Sequence, residues 1–253
     1  MNRNETFSAL DTHTICMDMV RSSIDVQSSA SNDIQVLISG DDDSVSLLSM
    51  EWKDGTLMLS MPMRDRMPNL MSPAWMQILL RLPVSWKGGM ELKSQSGNIS
   101  VNDFTGTDLL IHTVSGHIRV DSSLLIAAEL HSTSGILLLQ KANVEQIKMS
   151  TVSGDMLVKE ISCSQLSFNT VSGSCEIHLA TPFEKMTGSN VSGDTHVSAP
   201  LSEINASLAT VTGRILTRNI SIQETGPLFR MKSVTGQLEV VGDIPYSANQ
   251  EDE

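Results

Sequence analysis

Aromatic side chains are scarce in this chain: one Tyr, three Trp and five Phe, 4% of 253 residues. Basic residues are outnumbered as well, 17 against 29 acidic ones, for a net charge of −12. Together these speak against a phosphate-tracking groove with aromatic stacking platforms, so no nucleic-acid partner is expected. Cysteine is limited to Cys16, Cys163 and Cys175, an odd number with no Cys-x-x-Cys spacing. That excludes a disulfide framework and a zinc ribbon. Long apolar runs are missing: nothing approaches the roughly 18 apolar residues of a spanning helix, and no transmembrane segment is expected. Glu5 and Asp11 interrupt the stretch where a signal peptide would need its apolar core. With Met1 as the native start the expectation is a cytoplasmic protein. If an upstream signal has been removed, it is an envelope-associated or secreted one.

What the chain has instead is a period. Ser-Gly or Thr-Gly recurs at Gly97, Gly116, Gly135, Gly154, Gly173, Gly193, Gly213 and Gly236, in steps of 19, 19, 19, 19, 20, 20 and 23 residues. Apolar columns stand seven and five positions before each Gly, as in Leu109 and Ile111 or Ile147 and Met149. Others stand two and four positions after it, as in Ile118 and Val120 or Met156 and Val158. A spacing of two on each side is the strand period. Each unit therefore reads as strand, Ser-Gly corner, strand and variable connection. Such a short unit cannot bury its own apolar face, but stacked units can.

The expected fold is all-β, a single-stranded parallel β-helix or solenoid with coils of about 19–20 residues. The glycines are its structural corners, placed where φ is positive or backbones approach closely. The Ser or Thr before each Gly is expected to bond along the stack. A second polar ladder lies three before Gly: Ser94, Thr113, Ser132, Thr151, Thr170, Asn190, Thr210 and Ser233.

Three regions follow. Residues 1–89 form irregular N-terminal coils and hairpins that cap the same solenoid, with strands expected near Ile24–Val26, Ile34–Ile38, Val45–Leu48, Thr56–Met61 and Gln77–Leu82. Residues 90–242 hold the regular repeats, and 243–253 an acidic C-terminal tail. Asp41 to Asp43 reads as an acidic hairpin turn rather than a Ca²⁺ loop, because it lacks alternating ligands and a distal Glu.

The segments L-K-S-Q-S-G-N-I-S-V (92–101), I-H-T-V-S-G-H-I-R-V (111–120) and M-S-T-V-S-G-D-M-L-V (149–158) carry a family resemblance. They resemble the T-V-S-G-D-I-x-V repeats of the putative-adhesin family of unknown function, a bacterial β-strand repeat family. Ile78 to Pro83 followed by Met90 resembles the strand and Pro that precede its first repeat. The resemblance spans residues 10–242 and implies a β-solenoid with an adhesin-like role. It supplies no catalytic residues.

Candidate sites are few. His112 and His131 both stand four before their Gly and should stack on adjacent coils, with His117 across the corner, as a weak transition-metal candidate. The bland reading, solvated histidines on an outward face, is preferred, and no metal or cofactor is expected. Ile136, Leu138 and Leu157 fall on outward positions of neighbouring coils and form a possible partner surface. The valine column two before Gly (Val114, Val152, Val171, Val191, Val211 and Val234) is read as turning into the core. Eight of the 15 Met and all three Trp lie between Met50 and Met90, and the stretch from Met61 to Met76 is read as an end cap. Because the serines recur in every coil, none is singled out as a nucleophile.

The expected function is a non-catalytic, adhesin-like binding or assembly scaffold with an unidentified protein or cell-surface partner. Homo-oligomers through solenoid ends or faces remain open. The alternatives are an intracellular regulatory or envelope-stress accessory protein that binds a protein partner, and a polysaccharide-acting solenoid enzyme.

Overall fold

The computed structural model describes residues 1–61 and 75–242. The greater part of the methionine-rich stretch and the acidic tail lie outside the described residues.

The chain opens with β1 (Asn2–Ser8), β2 (Thr14–Met19), β3 (Ser22–Ser29) and β4 (Asp33–Gly40). A six-residue helix α1 (Asp42–Leu47), β5 (Ser49–Lys53), β6 (Thr56–Ser60) and β7 (Met76–Pro83) follow. The repeats then supply strand pairs, one strand on each side of a corner: β8 (Gly89–Ser96) with β9 (Ile99–Asn102), β10 (Asp108–Ser115) with β11 (Ile118–Asp121), and β12 (Leu124–Ser134) with β13 (Leu137–Gln140). They continue with β14 (Asn143–Ser153) and β15 (Met156–Ile161), β16 (Gln165–Ser172) and β17 (Cys175–Leu179), and β18 (Lys185–Ser192) and β19 (Thr195–Ala199). The last are β20 (Glu203–Thr210) and β21 (Arg214–Arg218), the two-residue β22 (Ser221–Ile222), and β23 (Leu228–Ser233) with β24 (Gln237–Gly242).

These strands build two sheets of 12. Sheet A runs β1-β4-β7-β3-β9-β11-β13-β15-β17-β19-β24-β21, and sheet B runs β22-β20-β23-β18-β16-β14-β12-β10-β8-β2-β6-β5. From β8 to β19 each strand pairs in parallel with its equivalent one repeat away, for example Ile111 with Leu130 and Val120 with Leu139. The architecture is therefore all-β with a solenoid-like winding. The sheets are mixed rather than uniformly parallel, because β1, β4 and β5 pair antiparallel at the N-terminal end.

Stacking departs from chain order at both ends. β2 and β3 sit between β6/β7 and β8/β9, although they precede both in sequence. Likewise β23 and β24, last in sequence, insert between β18/β19 and β20/β21. There the spatial order of the coils differs from their order in the chain. At the C-terminal end the reason is that an end coil has only one neighbour, and a chain terminus left in it would fray; inserting β23 and β24 gives the last segment backbone partners on both sides. At the other end β1 stays at the sheet edge, paired with β4.

A second difference concerns Asp41 to Asp43 and the strand expected at Val45–Leu48. Asp41 caps α1, its Oδ1 accepting from the Ser44 N–H at 2.9 Å, so the segment is a helix start and not a hairpin turn. Val45 and Leu48 are buried from the helix and the residue after it.

The core is thin and aliphatic. Both inward columns of each sheet are buried in the coils from β8/β9 to β16/β17, including Leu109, Ile111, Ile118, Val120, Leu137 and Leu139, whereas in the end coil of β20 and β21 Ala206 and Leu208 are half-buried and Ile215 is exposed. One layer is irregular: Gly188 stands in an inward column, and a Cβ there would come within 2.3 Å of the Phe168 ring and 2.5 Å of Met231 Sδ. The large neighbours occupy the volume that glycine leaves. Cys163 and Cys175 act as core residues, and burial pushes both thiols up to about 12. All three cysteines are free.

Candidate binding surface

The corner is built by close approach. A Cβ on Gly116 would lie 2.2 Å from the Gly97 carbonyl oxygen, and one on Gly135, Gly154 or Gly173 would lie 2.1 Å from the carbonyl of the glycine one coil before. No real contact is that short, so a backbone-to-backbone stack excludes every side chain. The stack follows spatial rather than sequence order. Gly236 meets Gly193, and Gly213 meets Gly236. At the N-terminal end Gly97 meets Ser22, whose β2–β3 corner has no Ser-Gly.

Three side-chain ladders flank this stack. Of the eight hydroxyls just before Gly, three bond along the axis: Thr235 Oγ1 donates to the Val191 carbonyl at 3.1 Å, Thr212 Oγ1 to that of Val234 at 3.2 Å and Ser115 Oγ to that of Gln95 at 3.5 Å. The column three before Gly points inward and is buried from Ser94 to Asn190. Ser132 Oγ donates to the Gly116 carbonyl and Asn190 Nδ2 to that of Gly193. The hydroxyls of Thr113, Thr151 and Thr170 have no partner among the described residues. A third ladder was not anticipated from sequence. The residue after Gly accepts a backbone N–H from the next coil: Asn98 from His117, His117 Nδ1 from Ile136, Asp155 from Ser174, and Asp194 from Gln237, at 2.8 to 3.0 Å. Its signal was available, since Asn, His and Asp recur at that position.

This fixes the histidines. His117 uses Nδ1 as an acceptor within its ladder. His112 and His131 do stack on adjacent coils, with ring centroids 5.6 Å apart. Burial, and then the like charge of His131, lower the His112 pKa, while His131 Nδ1 bonds Ser150 Oγ at 2.7 Å. A second pair, His178 and His196, was not singled out from sequence. Their centroids lie 5.4 Å apart, with His178 bonded to Ser198 and Glu176, and His196 to Glu239. Among the described residues, no group of three or more His, Cys, Asp or Glu is placed to hold a metal ion.

The valine column overturns its sequence reading. Val114, Val152, Val171, Val191, Val211 and Val234 are exposed, between 42% and 75%. The inward position at the corner is taken by the column one residue earlier, the buried Ser/Thr ladder, and alternation then turns the valines outward. They form an apolar ridge, continuous over the five coils carrying Val152, Val171, Val191, Val234 and Val211. Leu138 and Leu157 are register partners on the outward face of sheet A and are half-buried, while Ile136 is 38% exposed at the corner.

The opposite corner has its own device. Asp103, Ser122, Lys141, Glu160 and Asn219, each six residues after a corner Gly, have φ between 50° and 55°. Their five residue types share no side-chain chemistry, so only the backbone reveals the recurrence.

No helix among the described residues is long and apolar enough to cross a membrane. Solved structures of similar fold include a putative adhesin from Bacteroides fragilis, 15% identical over 95% of this chain and 97% of that one, with a TM-score of 0.61. A putative adhesin from Parabacteroides distasonis is 13% identical over 95% and 97%, again with a TM-score of 0.61. A putative lipid binding protein from the same species is 15% identical over 94% and 96%, also with 0.61. At these identities the likeness is one of fold alone. A comparison with curated proteins finds no match. The match to the family described as Toastrack DUF4097 covers residues 13–226, and with its period of stacked Ser-Gly corners the chain belongs to that family.

Proposed function

We propose that the chain is a non-catalytic β-solenoid that serves as an adhesin-like binding or assembly scaffold. The observation that carries this reading is the exposed valine ridge. An apolar line held on consecutive coils stands outside the core, and contiguous exposed apolar surface marks interaction sites. The chemistry-bearing groups point the same way. The cysteines are buried or half-buried, and His117, His131, His178 and His196 are hydrogen-bonded to neighbours along the stack. The neighbours named as adhesins support a role at the cell envelope.

A photo-crosslinking amino acid at Val171, compared with one at the exposed but off-ridge Asn169, tests the reading in cells. Discrete adducts from Val171 that Asn169 does not give, with no depolymerisation of envelope polysaccharide by the purified chain, are the expected result. Absence of adducts together with polysaccharide turnover would replace the scaffold with the solenoid enzyme.

A further inference from the structure

The charge of the chain is unevenly distributed, and the stacking order creates the exception. On sheet B the outward columns eight, six and four residues before each corner Gly alternate with the buried ones. On β14, β16, β18, β23 and β20 these columns contain Lys148, Lys185, Arg230 and Lys232, and not one carboxylate. The other positions are amides and hydroxyls, with one Leu and one Ala, among them Gln146, Gln165 and Thr187 in register with one another or with the cations. In a chain of net charge −12 a face of this composition is a local inversion of sign.

Arg230 and Lys232 join Lys185 only because β23 inserts beside β18, pairing Thr187 with Arg230 and Ser189 with Lys232. In chain order β20 would stand there, bringing Ser207 and Ala209. Lys148 is held at the N-terminal border by Glu129 at 2.7 Å. Glu145, Glu184 and Glu203 lie at the strand starts, outside the three columns. A shallow groove of about 450 Å³ leads into these columns from β10 to β18: Asp108 and Glu129 line its β10–β12 end, outside the five strands, and Gln146, Lys148, Gln165, Ser167, Lys185 and Thr187 line the part within them.

We propose that this face of sheet B binds an anionic linear glycan, a polyuronate in chemical class, lying along the stacking axis. The inference rests on the scaffold reading and names a ligand for it. The observed cations match the carboxylates of such a chain, and the amides and hydroxyls match its hydroxyl groups as donors and acceptors. Successive coils advance by about 4.8 Å, so a donor set recurs at an interval close to one sugar of an extended glycan. Five strands then span about 19 Å. Duplex nucleic acid calls for denser cationic lining than four charges over five coils.

The test is fluorescence anisotropy of labelled hexagalacturonate with the full chain at low ionic strength. Binding that weakens as salt is raised is expected, with neutral xylohexaose bound more weakly. The triple variant Lys185→Glu/Arg230→Glu/Lys232→Glu should lose at least about tenfold in affinity, and the triple Gln variant part of it. Lys159→Glu, on sheet A, should change nothing. No binding by the native chain, an unchanged triple Glu variant of native circular dichroism, or equal affinity for phosphatidylglycerol vesicles or duplex DNA would each overturn the proposal. Adducts at Val171 do not depend on these cations, so the scaffold reading and the glycan reading fail separately.

Discussion

A corner glycine in this protein is fixed by its neighbour one coil away more than by its own dihedral angles. Only some of the corners have clearly positive φ, such as Gly193 at 125° and Gly236 at 102°, yet all meet a backbone carbonyl where a Cβ would stand. Gly154→Ala should therefore be among the costliest single-methyl insertions in the chain. The obstructing atom is the Gly135 carbonyl oxygen at 2.1 Å, part of a ladder that cannot shift alone. A loss of about 3 kcal/mol or more is expected, read as a lowered urea midpoint. Gly226, with nothing closer than 3.9 Å, provides the comparison, although its φ of 102° carries its own cost. The residue types at the corners were plain in the sequence. The outward turn of the valines was not, because a strand alternation through an irregular corner gives no parity to count from. The left-handed residues of the opposite corner left no trace at all, since Lys141 and Glu160 are not residues that announce such a conformation.

At the scale of strands, neighbouring coils are joined by polar bonds on the outward faces as well as by the backbone ladder. Asp121 on β11 shows how. Its side chain is only 17% exposed. Burial alone would raise its pKa, but hydrogen bonds from Arg119, Ser122 and Gln140 outweigh this and hold the carboxyl below its usual value. Gln140 lies one coil on, on β13, so the bond at 2.6 Å ties two strands. With a depressed folded-state pKa, this contribution is complete above the ordinary carboxylate value of about 3.9 and is lost as pH falls through the lowered one. Asp121→Asn should cost about 1–2 kcal/mol at neutral pH, and its stability should fall less steeply than that of the native chain on acidification. Denaturant midpoints taken across that acid range check both. The strands of the regular coils were legible because their columns repeat. Strand β5 and helix α1 lie outside the period, and there a run such as Val45 to Leu48 fits either element until its cap is seen.

For the whole molecule, the decisive feature is the order of the coils. The sequence period establishes that the coils stack, and nothing in it says which coil neighbours which. The final step of 23 residues, against 19 or 20 elsewhere, holds the extra length that lets the chain form β22 and return inward of β20. The same detour assembles the basic face, so the fold and the glycan proposal share one premise. Paired cysteines in a Cys16→Ser background test it directly, under mild oxidation. Thr187→Cys with Arg230→Cys, register partners on β18 and β23, should form an intramolecular disulfide in high yield, and Thr187→Cys with Ser207→Cys should not. The opposite pattern, a disulfide in the Thr187→Cys/Ser207→Cys variant and none in the Thr187→Cys/Arg230→Cys variant, would mean that the coils stack in chain order and would contradict the account.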